Sequence, residues 1–277
     1  CALPIYFKYN ISLNGSYNKN EVGNIPTSDG IIHGAGDELY NNASEFYRAE
    51  NGQPIGYFWG YKTAGIFQNT QEIDEWRAAG NGILQSNVQP GDVRFVDRNH
   101  DGQINDKDKV NLGNGTPDFT LGLNLGFVYK GFDFSIVANG AFGQQIVQSY
   151  RNHTRPTPNY TTAILDRWHG EGTSNRIPRV TDSNINYQFS DLFIQNGDYL
   201  RLSTLTLGYD FAKLFKGKAV SQARLYFQVQ NLFTITGYDG MDPEIGFGSS
   251  NNSWVSGLDY GYYPRPRTVL VGVNLKF

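Results

Sequence analysis

The sequence predicts an all-β protein, the C-terminal portion of an antiparallel transmembrane β-barrel with long extracellular loops. Three observations predict it: alternating strands of about ten residues, connections that are short and long in turn, and an alternating strand that runs to the last residue. A strand with this alternation has one apolar face for lipid and one polar face for water. Short periplasmic turns and long extracellular loops are typical of outer-membrane barrels.

The first predicted strand covers residues 7–13, where aromatic or aliphatic side chains alternate with polar ones. Residues 1–5 read Cys-Ala-Leu-Pro-Ile, the translation of the end of a common sequencing adapter. We therefore expect residues 1–5 to be an assembly scar on a natural chain that extends upstream. A lipidated N-terminal cysteine is the alternative.

The clearest strand signal is a hairpin in the middle of the chain. Apolar side chains alternate with Thr, Gly and Asn from Phe119 to Tyr129, and the alternation resumes from Phe132 to Ala138. Lys130-Gly131 between them supplies a tight turn. Before this hairpin, residues 18–53 are polar and residues 72–79 predict one short helix.

Three later segments are also predicted strands: residues 199–210, 223–234 and the C-terminal segment. Long polar stretches at 143–196 and 237–265 alternate with short connections, which puts the end of the chain on the periplasmic side. The last strand of a closed barrel must pair with the first. The predicted barrel-closing residues are Val269, Val271, Val273, Leu275 and Phe277.

Composition excludes several classes of protein. The formal net charge of −3 gives no basic excess for nucleic acid, and the single cysteine excludes an intrachain disulfide. No apolar run approaches the roughly 18 residues of a membrane-spanning helix. Aromatic residues form 14% of the chain and there are 32 Gly, which suits barrels with aromatic girdles and tight turns. Mean hydropathy of −0.46 fits a barrel because half of each strand faces a polar lumen.

Residues 97–108 form the sharpest local motif. Carboxylates and amides occupy positions 1, 3, 5, 9 and 12 of a twelve-residue loop with Gly at position 6, the spacing of a calcium loop. Position 7 would contribute its backbone carbonyl. The predicted Ca²⁺ ligands are Asp97, Asn99, Asp101, Gln103, Asn105 and Asp108.

Two features of this loop differ from the usual calcium loop. Position 12 is Asp rather than the longer Glu, and no clear helix precedes the loop. A helix-less variant, similar to the loops of dockerin modules, is compatible with both features. The alternative is an Asx-rich turn whose side chains bind their own backbone.

No arrangement of residues indicates catalysis. The four histidines (His33, His100, His153 and His169) show neither an HExxH motif nor paired metal-ligand spacing. Ser-Gly pairs lack a nucleophile-elbow context. We therefore expect that the chain is not an enzyme.

Several segments together resemble the SusC/RagA family of TonB-dependent outer-membrane transporters of Bacteroidota-type bacteria. Each segment alone is weak, but their order and spread over nearly the whole chain make the match specific. The segments are Asn10-Ile11-Ser12, residues 18–22, residues 52–56 running to 65–68, Pro90-Gly91-Asp92-Val93 with the Asp-rich loop, residues 129–133, residues 197–209, Gln230-Asn231-Leu232-Phe233 and residues 263–268.

The resemblance implies a 22-stranded barrel with an N-terminal plug and a TonB box, energised through TonB-ExbB-ExbD. It also implies a SusD-like surface lipoprotein that covers the extracellular mouth, and import of oligosaccharides or peptides. The sequence contains no plug-like segment and no TonB box, so residues 6–277 would be the C-terminal part of the barrel, about eight to ten strands.

Exposed aromatic residues are candidates for contact with the substrate or the lid: Trp59, Trp168, Trp254 and Tyr260. For any single one, packing within loops or an interfacial girdle is the simpler interpretation. The competing function is a secreted, calcium-binding β-sandwich in which the same residues stack on glycans.

Overall fold

The computed structural model describes residues 7–34, 45–148, 162–181, 184–212, 215, 220–246 and 254–277. The predicted adapter scar at residues 1–5 lies outside the described residues. The described part is all-β with one α-helix, α1 (Thr70–Ala78). The strands are β1 (Phe7–Tyr17), β2 (Ile31–His33), β3 (Tyr47–Glu50), β4 (Tyr57–Gly60), β5 (Thr63–Ile66), β6 (Val93–Phe95), β7 (Val110–Asn114), β8 (Phe119–Tyr129), β9 (Phe132–Phe142), β10 (Gln145–Gln148), β11 (Ile194–Asn196), β12 (Tyr199–Asp210), β13 (Gln222–Thr236), β14 (Leu258–Asp259) and β15 (Thr268–Lys276).

Six long strands form one antiparallel sheet in the order β1-β8-β9-β12-β13-β15. Strands β1 and β15 are its two edges, and the sheet is not closed. The predicted all-β class is confirmed. The expected eight to ten barrel strands were too many, because in the described residues only six long strands pair edge to edge.

The predicted hairpin is confirmed as β8 and β9. Tyr129 pairs directly with Phe132, and the two turn residues, Lys130 and Gly131, have φ of 48° and 93°. Two consecutive residues with positive φ make the kind of turn whose twist matches that of the flanking strands. Strand β12 ends and β13 begins at the same end of the sheet, since Tyr209 pairs with both Phe132 and Leu225.

One face of the six-stranded sheet is apolar from edge to edge. Its central row contributes one aliphatic residue per strand, and each is the direct cross-strand partner of the next. Tyr9 and Val271 on this face are 68% and 71% exposed, so no other described element covers them. The row runs Ile11, Leu125, Ile136, Leu205, Val229 and Val269.

Aromatic rings mark the end of this apolar face beside the short turns. Phe7 pairs with Tyr129, and Phe132 pairs with Tyr209, with the ring centroids of the second pair 4.4 Å apart. Aromatic belts at the edge of an apolar band are typical of sheets that sit in a bilayer.

A β-bulge in β12 changes which residues of that strand point to the apolar face: even-numbered residues before the bulge and odd-numbered residues after it. The pairing with β9 and β13 shifts between Leu202 and Thr204. As a result Leu200 and Leu202 share the apolar face with Leu205 and Leu207, although their spacing by two is broken. An extra residue in one strand is the usual cause of such a switch.

The long segments between the sheet strands fold into a compact layer at one end of the sheet. They carry β2–β7, β10, β11 and β14 in three smaller sheets. Helix α1 is capped at its N-terminus by Asn69, whose side chain accepts a hydrogen bond from the Glu72 amide (3.0 Å). The predicted helix at 72–79 is thus confirmed, two residues earlier at its start. No helix among the described residues is long and apolar enough to span a membrane.

All three long segments contribute to the main buried cluster of this layer. Sequence patterning presents them as polar loops, and the structure shows that their scattered aromatic and aliphatic residues form a shared core. The cluster comprises Phe46, Tyr47 and Phe58 from the first segment, Val147, Phe189 and Phe193 from the second, and Val255 and Leu258 from the third.

Candidate functional site

The polar face of the long sheet carries a buried cation at the end near the compact layer. Arg201 on β12 is 3% exposed and lies 2.5 Å from Asp242 Oδ1 and 3.1 Å from Glu244 Oε2. Its Nε also donates to Thr234 Oγ1 on β13 (3.1 Å). The network therefore ties the strand wall to the segment that follows β13.

A second arginine extends this network toward the last strand. Arg265, in the Pro-flanked entry to β15, donates to Glu244 Oε1 (2.8 Å), and its side chain is 58% exposed. Glu244 thus joins a buried guanidinium on the wall to an exposed one in the last long segment.

A small cavity lies beside Glu244, between the wall and the compact layer. Its volume is about 220 Å³, and its lining includes Thr116, Gln144, Tyr199, Glu244, Ile245 and Ser256. A tyrosine, two aliphatic hydroxyls, an amide and a carboxylate could contact a small polar group. The sequence pattern did not predict this site, although Arg201 is the one charged residue among residues 199–209 and was a detectable signal.

The predicted calcium loop follows β6 and ends in a 3-10 helix at Asp106–Asp108. Asp97 Oδ2 accepts hydrogen bonds from the amides of Gly82 (2.8 Å) and Gly102 (2.9 Å). Gly102, at the sixth position, has φ +79°, which is the backbone conformation that favours glycine there. The loop therefore folds back on its first carboxylate.

Four of the other five predicted ligands also accept hydrogen bonds from backbone amides: Asn99, Asp101, Asn105 and Asp108. Asp101 Oδ1 accepts from Gln103 N (2.9 Å), and Asn105 Oδ1 accepts from Lys107 N (3.0 Å). The buried Asp108 accepts from Arg98 N (2.8 Å) through one oxygen and from Asn105 N (2.9 Å) through the other.

Three of the predicted ligands are exposed: Asn99, Asp101 and Gln103. Asn99 Oδ1 accepts from Asp101 N (3.1 Å), and the Gln103 side chain lies at the surface. Within the described ranges, no three His, Cys, Asp or Glu side chains gather as a metal site would require. Any cation would therefore need amide and backbone carbonyl oxygens in addition to the carboxylates.

The four predicted contact aromatics are all half-buried and packed against neighbours. The Arg48 guanidinium lies 3.4 Å above the Trp59 ring, and Trp168 Nε1 donates to Gln68 Oε1 (3.2 Å). Trp254 and Tyr260 both pack against the main buried cluster. The structure thus brings these last two to one core and holds Trp59 and Trp168 in separate contacts.

The geometry of the described residues defines a class of protein. A sheet with an uncovered apolar band, an aromatic belt at its edge, a polar opposite face and long segments at one end is the wall of an outer-membrane β-protein. No protein-family model matches the sequence.

Comparison with known proteins gives the family. The chain is 32% identical to the TonB-dependent receptor P3 of Formosa agariphila, over 98% of this chain and 27% of the receptor. It is 28% identical to the TonB-dependent receptor SusC of Bacteroides thetaiotaomicron, over 98% of this chain and 24% of SusC. The solved RagAB peptide transporter matches all of this chain and 28% of the transporter chain, with a TM-score of 0.69 and 18% identity.

The chain belongs to the SusC/RagA-type TonB-dependent receptors, as its sequence motifs predict. It spans about a quarter of the length of the curated relatives that it matches, 27% and 24% for the two receptors above. The predicted outer-membrane location is confirmed by this membership. The relatives are receptors and transporters, which also confirms the prediction that the chain is not an enzyme.

Proposed function

We propose that this chain forms part of a closed, 22-stranded, TonB-energised importer. Its six-stranded sheet would be part of the barrel wall, and its compact layer would be part of the extracellular end. The observation that carries the proposal is the apolar face of the six-stranded sheet, which ends at two unpaired strand edges, β1 and β15. Unpaired edges in lipid leave backbone groups without partners, so further strands must continue the sheet on both sides.

In this proposal β15 is the closing strand of the barrel. Its apolar residues, Val269, Val271, Val273 and Leu275, extend the lipid face beyond β13, and Phe277 follows at the end beside the short turns. The outer edge of β15 would pair with the first strand of the intact receptor. The plug and the contact with TonB-ExbB-ExbD would come from the rest of that receptor.

The compact layer would form the extracellular mouth, where a SusD-like surface lipoprotein binds. Similar solved proteins are described as RagAB peptide importers in an open-open and a closed-closed state. By analogy the imported substrate would be a peptide or an oligosaccharide. The cavity beside Glu244 and the aromatic candidates Trp59, Trp168, Trp254 and Tyr260 would lie on its route or under the lid.

The alternative, a secreted glycan-binding sandwich, gains no support. A sandwich buries the apolar face of each sheet against a second sheet. Among the residues that the structure describes, nothing covers the face that contains Tyr9 and Val271.

The test uses the full-length receptor that contains this chain, tagged and extracted from outer membranes. Expected results are co-purification of a surface lipoprotein, and uptake of labelled oligosaccharide or peptide that stops when TonB is deleted. The same assays are run on an Arg201→Leu variant, which lacks the ion pairs that join β12 to Asp242 and Glu244. A full-length product recovered soluble from the medium, or uptake unchanged without TonB, would contradict the proposal.

A further inference from the structure

Asp97 has a buried carboxylate oxygen that no hydrogen-bond donor reaches. The residue is 1% exposed, and its Oδ1 has no hydrogen-bond partner among the described residues. Its other oxygen accepts two backbone amides, from Gly82 and Gly102. A carboxylate oxygen removed from water without a donor is strongly unfavourable. This atom therefore requires a partner other than the residues that the structure describes.

A water molecule and a cation are the two candidates for the missing partner of Oδ1.

The surrounding loop supplies oxygen ligands at the spacing that a cation needs. Positive φ at His100 (55°) and Gly102 (79°) reverses the chain around Asp97. The same loop carries the oxygens of Asn99, Asp101 and Asn105 and the backbone carbonyl of residue 103, while the buried Asp108 closes it through hydrogen bonds to two backbone amides. Hard oxygen ligands in this order suit Ca²⁺.

We infer that residues 97–108 bind a calcium ion, with the free Oδ1 of Asp97 as its central ligand. The site lies in the compact layer rather than in the strand wall. Binding would fix the connection between β6 and β7, because the loop that spans them is closed by Asp97 at one end and Asp108 at the other.

The structure also supplies an internal optical probe for this site. Trp76 Nε1 donates to the Gly82 carbonyl (3.1 Å), and the Gly82 amide donates to Asp97 (2.8 Å). Only Gly82 therefore separates Asp97 from the indole of Trp76. Excitation of Trp76 should produce sensitised emission from a terbium ion bound at Asp97.

The experiment uses the full-length receptor in detergent, stripped with chelator and titrated with Tb³⁺. We expect sensitised emission that added Ca²⁺ displaces and that falls in Trp76→Phe while calcium affinity measured by calorimetry stays the same. Asp101→Asn should weaken calcium affinity at least about tenfold without changing the melting temperature of the metal-free protein, because Asp101 is exposed. Asp97→Asn should weaken it further.

The matched control is Asp106→Asn, an exposed carboxylate at the tenth position that pairs with Lys109 (2.8 Å). It should leave calcium affinity within about twofold. Equal losses in Asp106→Asn and Asp101→Asn would indicate diffuse surface charge and overturn the inference. Calcium affinity unchanged in Asp101→Asn, or no calorimetric signal for Ca²⁺ in the unmodified receptor, would assign Oδ1 to water and also overturn it.

Discussion

Arg224 on β13 reaches across β12 to Asp133 on β9, and two hydrogen bonds of 2.7 and 2.6 Å join the guanidinium to both carboxylate oxygens. Gly208 on β12 lies between them. A Cβ atom at Gly208 would stand 2.4 Å from Asp133 Oδ1 and 2.7 Å from Arg224 Nε. Because Gly208 on β12 has no side chain, Arg224 on β13 can reach Asp133 on β9 across it.

This geometry predicts a specific effect of Gly208→Ala. The added methyl group should displace the ion pair and lower the free energy of unfolding by about 1–3 kcal/mol. Heat-modifiability of the full-length receptor on SDS gels measures it. The effect should vanish in an Asp133→Ala background.

Gly126→Ala is the control for that substitution. It lies on the same polar face, but its Cβ would meet the nearest atom, Asn10 Cβ, at an ordinary 3.8 Å. An equal loss in both alanine variants would show that strand flexibility, not the ion pair, explains the glycine.

Adjacent residues of β9 test which face meets lipid. Ile136 belongs to the central apolar row, and Val137 pairs with Asn124 and Thr204 on the opposite face. Ile136→Lys should destabilise the membrane-inserted receptor by about 2–4 kcal/mol and reduce its outer-membrane level. Val137→Lys should have little effect. Equal levels of the two variants in outer-membrane fractions would refute the assignment of faces.

We expect the stability of residues 237–246 to depend strongly on the buried side chain of Arg201. Arg201→Leu would leave Asp242 and Glu244 without their buried partner, at about 3–5 kcal/mol, and should expose residues 237–246 to limited proteolysis. The exposed Arg265 also binds Glu244, yet Arg265→Leu should cost below about 1 kcal/mol. Identical cleavage patterns in both variants would contradict this order.

Local opening of the β2–β3 pair should depend on pH. Hydrogen bonds to Glu45 and Asp29 raise the pKa of His33, while the hydrogen bond from His33 is the main cause that lowers the pKa of Asp29 to about 2. The His33 contribution is therefore complete below its unfolded pKa and is lost as pH rises through its folded pKa. The Asp29 contribution is present above its unfolded pKa and is lost as pH falls through about 2.

Hydrogen exchange of residues 31–33 measures this dependence in the full-length receptor. Protection should fall as pH rises past the folded pKa of His33. In His33→Gln the fall should disappear, whereas an unchanged pH profile in that variant would assign the effect to another group.

The sequence predicts the sheet well and the compact layer poorly, for a physical reason. In β8 and β9 successive residues point alternately to the lipid and to the lumen, so the sequence shows a period of two. Phe46, Phe189 and Leu258 are buried by each other across three distant segments, and no local period records such contacts. The bulge at Ser203 shows the same limit within a strand, because it breaks the alternation without ending the strand.

The candidate sites follow the same rule. The loop at residues 97–108 is contiguous, so its spacing is visible in the sequence, and the structure adds only the unpartnered oxygen of Asp97. The network around Arg201 joins β12 to residues 242, 244 and 265. Only the folded chain brings these together.

The shared core of the compact layer has a consequence for biogenesis. Its members come from near both ends of the described chain, so the layer has high contact order and should form late and slowly. Local hairpins such as β8–β9 can pair as soon as they emerge. The compact layer would therefore be complete only after its last long segment, residues 237–267, has crossed the membrane. The order in which the segments cross should thus decide when this layer forms.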